Sequence, residues 1–170
     1  SNKHKIKEAK EILSKYGIKI RHFHFRHNEI RSDSSEEIAI EAVNAAYRKL
    51  RTPVFVEDTG LFIKSLNGFP GTYSRWVLEK LGSKGILALL KGGKNRSAEF
   101  RACIAFHDGK MHSFKGVCKG KIAKKQRGAS GFGYDQIFVP QGYKKTFGES
   151  IGLKNKLSHR FRCLYTFSNY

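Results

Sequence analysis

The sequence predicts an α/β domain. Helical and strand periods alternate along the chain, two helices carry recognisable starts, and a hairpin is written around Asp108-Gly109. At 170 residues the chain is long enough to bury a core without staples, and it is taken as one domain over residues 1–170.

The first helix follows from Ile6, Ala9, Ile12 and Leu13, an approximate helical period that stops at Gly17. Asn2 is its expected N-cap, which leaves Ser1, Asn2 and Lys5 beside a helix N-terminus, where free N–H groups favour an anion. Gly17 to Phe25 alternates as a strand does. Period two puts His22 and His24 on one face, but no thiolate lies near in sequence, so a wet strand surface is preferred to zinc. Ser34 and Glu37 form a capping box for a helix running to about Leu50.

Thr52-Pro53-Val54-Phe55-Val56-Glu57-Asp58-Thr59-Gly60 reads as a short buried strand ending in two adjacent acids and a Thr-Gly break. Two readings stay open. One is a strand-to-turn junction with solvated acids; the other is a pair that holds Mg²⁺ and activates water. Extended chain then continues over Phe62–Leu66, with a turn-rich loop over Asn67–Gly71. Helices over Tyr73–Leu81 and Ser83–Leu90 are separated by Gly82. The hairpin pairs Phe100–Phe106 with Met111–Ile122. A glycine-dense loop over Gly128–Asp135 holds Phe132 and Tyr134, and Ile137–Val139 is a short strand. After a second loop at Thr146–Glu149, a closing helix covers Lys154 to Tyr165.

Charge is the unusual bulk feature: 33 Lys and Arg against 14 Asp and Glu, a formal +19. Such a field attracts polyanions, and on its own it does not choose between nucleic acid and nucleoside polyphosphates. The three cysteines are far apart and lack CxxC pairing, which suits a reduced cytoplasmic setting better than disulfides or zinc. No run approaches 18 apolar residues and no leader pattern opens the chain, so a soluble, non-secreted, non-membrane protein is expected.

Three residue types recur at element ends. Acids stand at Glu29, Glu57 and Asp58; donors at Asn2, Lys5, Lys154, Ser158, His159 and Arg160; aromatics at Phe132 and Tyr134. Acids with Mg²⁺ activate water, lysines neutralise phosphate charge, and an aromatic face stacks on a base. Together they describe a site for hydrolysing a nucleoside polyphosphate.

Five blocks carry a resemblance: Ser1-Asn2-Lys3-His4-Lys5, Val56-Glu57-Asp58-Thr59-Gly60-Leu61, Gly68-Phe69-Pro70-Gly71-Thr72-Tyr73-Ser74, Gly131-Phe132-Gly133-Tyr134-Asp135 and Lys154-Asn155-Lys156-Leu157-Ser158-His159-Arg160. In this order they resemble the inosine/xanthosine triphosphate pyrophosphatase family over nearly the whole chain. The resemblance implies a long mixed β-sheet flanked by helices, two lobes with the active-site cleft between them, and a cytoplasmic homodimer. It implies Mg²⁺-dependent conversion of ITP, dITP or XTP to the monophosphate and pyrophosphate. Carried over by position, Glu29, Glu57 and Asp58 hold metal, Asp58 is also the base for water, and Lys5 is catalytic. Asn2, Lys5 and Lys154 bind phosphates, and Ser1 and Thr59 also contact substrate. Phe132 stacks on the purine, with Gly133, Tyr134, Asp135, Ser158, His159 and Arg160 around the base.

In the family a short apolar strand precedes the Ser-Asn segment, whereas this sequence starts at Ser1. A buried strand is not lost without exposing ladder groups, so a trimmed N-terminus is expected. Gln136 stands where the family has Pro. The rival readings are a house-cleaning pyrophosphatase for other modified nucleotides and a basic nucleic-acid-binding module. The Lys154–Arg160 block speaks against the first, and acids at the heart of the chain speak against nucleic acid as the partner.

Overall fold

The computed structural model describes residues 2–170; Ser1, named above as a substrate contact, lies outside the described residues. Helix α1 spans Lys3–Ser14 and buries Ala9, Ile12 and Leu13, as the helical period requires. Asn2 caps it: its Oδ1 accepts from the N–H groups of His4 at 2.9 Å and Lys5 at 3.4 Å. Helix α2 spans Ser35–Leu50, and the Ser34 hydroxyl accepts from the Glu37 N–H at 3.3 Å. The Glu37 carboxylate takes the Ser32 hydroxyl at 2.6 Å instead of closing the box on Ser34.

Between these helices the predicted strand over Gly17–Phe25 does not form. Alternation supplies two faces but no partner, and among the described residues no main-chain hydrogen bond joins residues 19–33 to a neighbouring segment. The stretch has no regular secondary structure.

The sheet consists of β1 (Val54–Ile63), β2 (Pro70–Gly71), β3 (Ser97–His107), β4 (Met111–Ile122) and β5 (Phe138–Pro140), in the order β2-β1-β3-β4-β5. Every pairing among the described residues is antiparallel, so the long sheet is present but it is not mixed there. The β3–β4 hairpin closes at the predicted Asp108-Gly109, with His107 opposite Met111. Strand β1 departs most from expectation. It runs without a break through Glu57-Asp58-Thr59-Gly60, because β3 pairs with it along its whole length, Glu57 opposite Ile104 and Asp58 opposite Cys103. The two acids therefore lie mid-strand, not at a strand mouth, and successive side chains on a strand point to opposite faces.

Helix α3 (Ser74–Leu89) carries a kink at Gly82, whose φ of 61° and ψ of −177° mark the predicted break. The predicted closing helix is two helices, α4 (Ile151–Leu157) and α5 (His159–Ser168). Ser158 is extended between them, and its hydroxyl accepts from the Phe161 N–H at 3.1 Å, starting α5 afresh.

The core falls into three clusters. Helices α1 and α5 bury Ile12, Leu13, Cys163, Leu164 and Phe167 against Ala102 and Ile104 on one sheet face. Helix α2 packs Ala39 and Val43 against Cys103 and Ala105 on the other. The third cluster joins α3, Leu61, Ile63, Phe100 and Ile122 to Tyr134, Ile137, Phe138 and Phe147. Each fully buried Leu, Ile or Phe contributes roughly 1.5–3 kcal/mol. Gly116 on β4 sets the seat of α5: a Cβ there would meet the His159 carbonyl and the Cys163 main chain. The three cysteines are free and buried, and among the described residues no helix is long and apolar enough to cross a membrane.

Candidate active site

Four elements converge beside the middle of β1: the first turns of α1, the loop before β5, helix α4 and the start of α5. What they bring together is a charged cluster of unusual depth. Lys154 and Arg160 are 1 % and 2 % exposed, and burying such charges is tolerable only when each is paired and hydrogen-bonded. Arg160 Nε reaches both Glu57 oxygens at 3.0 Å, and its Nη1 donates to Glu8 Oε2 at 2.6 Å. Lys154 Nζ lies 2.6 Å from Glu8 Oε1 and 2.7 Å from Asp135 Oδ2. Lys5 stands 3.9 Å from Glu57, and the Thr59 hydroxyl donates to the same carboxylate.

Glu8 is the residue that sequence reasoning missed, although it ties Lys154 to Arg160. Its only signal was position: it falls two turns into α1, one turn after Lys5, on the side that meets the closing helices.

Phe132 sits over this cluster. Lys154 Nζ is 4.0 Å and the Arg160 guanidinium 5.6 Å from its ring centroid, and the His4 ring stacks on it at 4.9 Å. The loop is held from below by Asp135, which accepts from the Phe132 N–H at 2.8 Å while gripping Lys154. Gly131 makes that possible. Its φ is +78°, and a Cβ would strike the Asp135 carboxylate. Gly133 also takes a positive φ, of 65°. Tyr134 does not line the site: its ring is in the core and its hydroxyl donates to the Ser74 carbonyl at 2.9 Å. Ser158 is likewise spent on capping α5.

His159 is 3 % exposed, stacks on Phe100 at 4.6 Å, and neither ring nitrogen has a hydrogen-bond partner among the described residues. Burial, with Arg160 beside it, pushes its pKa well down, so the imidazole is neutral.

The two acids of β1 have separate surroundings. Burial opposes ionisation of Glu57, but the charges of Arg160 and Lys5 outweigh it and hold the carboxyl at about 2. Asp58 faces the α2 side, where Glu29, Ile38, Thr72 and Trp76 line with it a cavity of about 500 Å³. Its Oδ2 is buried and has no hydrogen-bond partner among the described residues. Burial raises its pKa, with Lys5 opposing. Lys5 joins the two halves. Burial lowers its pKa, while the fields of Glu57, Asp58 and Glu29 all reach it.

A three-acid metal set of Glu29, Glu57 and Asp58 is therefore not assembled: Glu57 is taken by Arg160 on the opposite face, and among the described residues no group of three metal-donor side chains converges. Asp58 and Glu29 do share a cavity, and an unpaired buried carboxylate oxygen suits a hard cation that keeps its remaining positions for water and phosphate.

The family model of the Ham1 family matches residues 1–170. This chain belongs to the Ham1 family. Among its relatives, the dITP/XTP pyrophosphatase of Thermococcus kodakarensis is 42% identical over 171 residues, covering 100% of this chain and 93% of the relative. That of Methanopyrus kandleri is 44% identical, covering 98% of this chain and 90% of the relative. The solved structure of the Staphylococcus aureus Ham1 protein superposes with a TM-score of 0.83 at 29% identity, over 99% of this chain and 93% of that one. For this Ham1-family chain the α/β architecture and the layout of its sheet are thereby shared with solved relatives.

Proposed function

We propose that this chain hydrolyses non-canonical purine nucleoside triphosphates, ITP, dITP and XTP, to the monophosphate and pyrophosphate. The observation that carries the reading is the pairing of an aromatic platform on two buried cations with a carboxylate whose buried Oδ2 has no hydrogen-bond partner among the described residues, one strand position from the anchor of Arg160. Relatives named dITP/XTP pyrophosphatase at 42% and 44% identity support it.

In the proposed reaction a water attacks the α-phosphorus. The bond from that phosphorus to the bridging oxygen breaks, and pyrophosphate leaves with the electron pair. Asp58 Oδ2 takes the proton of the attacking water; its raised pKa brings it closer to the working pH, as a general base needs. Lys5 neutralises charge growing on the phosphates, with Asn2 and the α1 N-terminus beside it. Asp58 and Glu29 would hold Mg²⁺, which when bound supplies a Lewis acid for the phosphate oxygens. Glu57 acts differently. It fixes Arg160, and with Thr59 and Glu8 it keeps the cationic side of the cleft in one geometry.

Phe132 offers the base a stacking face, which the base shares with or takes from His4. Neutral His159, unpaired and next to Arg160, supplies a donor for a 6-oxo group. Adenine carries an amino group there, and leaving that buried donor unmatched costs roughly 1–3 kcal/mol. The proposed working form is a cytoplasmic homodimer; exposed Leu81 and Leu89 on α3 offer apolar area for a second copy.

Pyrophosphate release from ITP, dITP, XTP, ATP and GTP, with and without Mg²⁺, tests the reading. Turnover confined to the oxo-purines and dependent on Mg²⁺ is expected. Equal turnover of ATP, or of a modified pyrimidine in preference to ITP, overturns the substrate assignment.

A further inference from the structure

The reaction needs few of the cations this chain carries. Between Asp108 and Asp135 the sequence holds no acid, while Lys and Arg recur throughout. On β4, Lys119 and Lys121 are exposed on alternate positions between buried Cys118 and Ile122. Lys124 and Lys125 follow on the exposed turn, and Lys144 and Lys145 are exposed on the loop after β5. These segments lie together: the Gln141 N–H donates to the Lys119 carbonyl at 2.9 Å, and Arg127 Nη2 donates to the Lys144 carbonyl at 2.9 Å. Among the described residues none of these six lysines makes an ion pair. Neighbouring cations do find acids, Arg127 with Glu149 at 3.5 Å and Lys115 with Glu36 at 2.6 Å.

A cavity of about 400 Å³ opens in the same surface, between Val117, Lys119, Gln141, Tyr143, Leu157 and Arg162. It shares no lining residue with the candidate active site. Tyr143 is 46% exposed and Val117 38%, so an aromatic ring and an aliphatic wall stand open to solvent beside Lys119 and Arg162. An aromatic face flanked by cations, with further unpaired lysines leading away from it, is what a polynucleotide strand requires: a base against the ring, and successive phosphates on the lysines.

We propose that the β4–β5 end of the molecule is a second binding surface that takes single-stranded polynucleotide. A free nucleotide carries too few phosphates to engage all six lysines; a chain of phosphates uses them. A duplex hides the base faces that Tyr143 would stack upon. The surface gives a role to six of the chain's 33 Lys and Arg that the hydrolytic site does not use.

The test is a fluorescence-anisotropy titration of a labelled single strand of about 20 nucleotides, repeated between about 50 and 200 mM salt. With five phosphates met, affinity is expected to fall about 100-fold across that range. Tyr143→Ala should weaken binding about fivefold or more. The triple change Lys119→Gln, Lys124→Gln, Lys144→Gln should lower the salt slope by about two. The matching triple on and beside α3, Lys80→Gln, Lys84→Gln, Lys91→Gln, should leave affinity within about threefold, since the same charge is removed from another face. Pyrophosphate release from ITP should persist in every variant, which shows that they fold. The proposal is overturned if the two triples act alike, if Tyr143→Ala has no effect, if a duplex of equal length binds as tightly, or if ITP displaces the strand.

Discussion

Glu57 and Asp58 are chain neighbours of the same chemistry, yet the two faces of β1 treat them in opposite ways. On the α1/α5 face Glu57 accepts two hydrogen bonds from Arg160 and one from Thr59, and is held ionised down to about 2. On the α2 face Asp58 has a buried oxygen with no partner among the described residues, and its pKa is raised. A carboxylate that is saturated with donors is a poor base and a good anchor. One left unsatisfied at the wall of a cavity is costly to the fold and available to a substrate. The strand alternation that separates them is what lets one dipeptide supply both functions.

The largest effect that tests this contrast is on chemistry. Asp58→Asn should lower pyrophosphate release from ITP by about 10²- to 10⁴-fold, the range for loss of a positioned base. The same variant should melt at the same temperature as the parent or higher at neutral pH, because the amide removes a buried charge that the fold disfavours. Retained turnover would take Asp58 out of the base role; a large fall in melting temperature would make it an anchor like its neighbour.

Glu57→Gln should do the reverse, with stability as its main readout. Arg160 keeps Glu8 in this variant, but its Nε and Nη2, Lys5 and Thr59 all lose the carboxylate on which they converge. Breaking a buried pair costs up to about 3–5 kcal/mol, which for a chain of this size is a fall in melting temperature of up to about 10 °C. Thermal unfolding followed by circular dichroism measures it. If Glu57→Gln melts with the parent but loses turnover as deeply as Asp58→Asn, the two faces are one site and the distinction fails.

The residues of this contrast were legible in the sequence, but their division was not. The glycine loop, the Lys154–Arg160 block and the Val56–Leu61 block were all readable as pieces of a polyphosphate site, because turn glycines and buried-strand residues carry strong local signals. Helices α1, α2 and α3 were equally clear, down to the Asn2 and Ser34 caps and the Gly82 break. What failed was decided by partners far away in sequence. Thr59-Gly60 looks like a break, yet β3 pairs straight across it; Gly17–Phe25 looks like a strand, yet among the described residues no strand pairs with it. Tyr134 looks like a base contact, yet Ser74, sixty residues earlier, takes its hydroxyl. Glu8 belongs to the same class of miss, since its value lies wholly in two cations near the other end of the chain.

Titration sharpens the contrast because the two acids contribute with opposite sign. Glu57 has a folded pKa of about 2 against an ordinary 4.5, so its contribution is complete above 4.5 and is lost as pH falls towards 2. Asp58 is shifted upwards from 3.8, so its ionisation costs stability as pH rises above that value. Melting temperature should therefore drop on acidification below about 4.5 in the parent, and this acid limb should flatten in Glu57→Gln and persist in Asp58→Asn. An acid limb that survives in Glu57→Gln would assign it to other carboxylates.

The smallest expected effect concerns Glu8. It touches both Lys154 and Arg160, so by its partners alone it rivals Glu57 as the holder of the ionic face. Each of those partners, however, keeps a second carboxylate when it is gone: Lys154 keeps Asp135 at 2.7 Å, and Arg160 keeps both oxygens of Glu57 at 3.0 Å. Neither cation is left buried and alone, which is the state that makes a broken pair expensive. Glu8→Gln also retains an oxygen that can accept from one of them. The loss should be about 1–2 kcal/mol, a few degrees of melting temperature and well under half of the Glu57→Gln effect. Equal losses in the two variants would mean that α1, not β1, anchors Arg160, and the two faces of β1 would then differ in what lies above them and not in the carboxylates themselves.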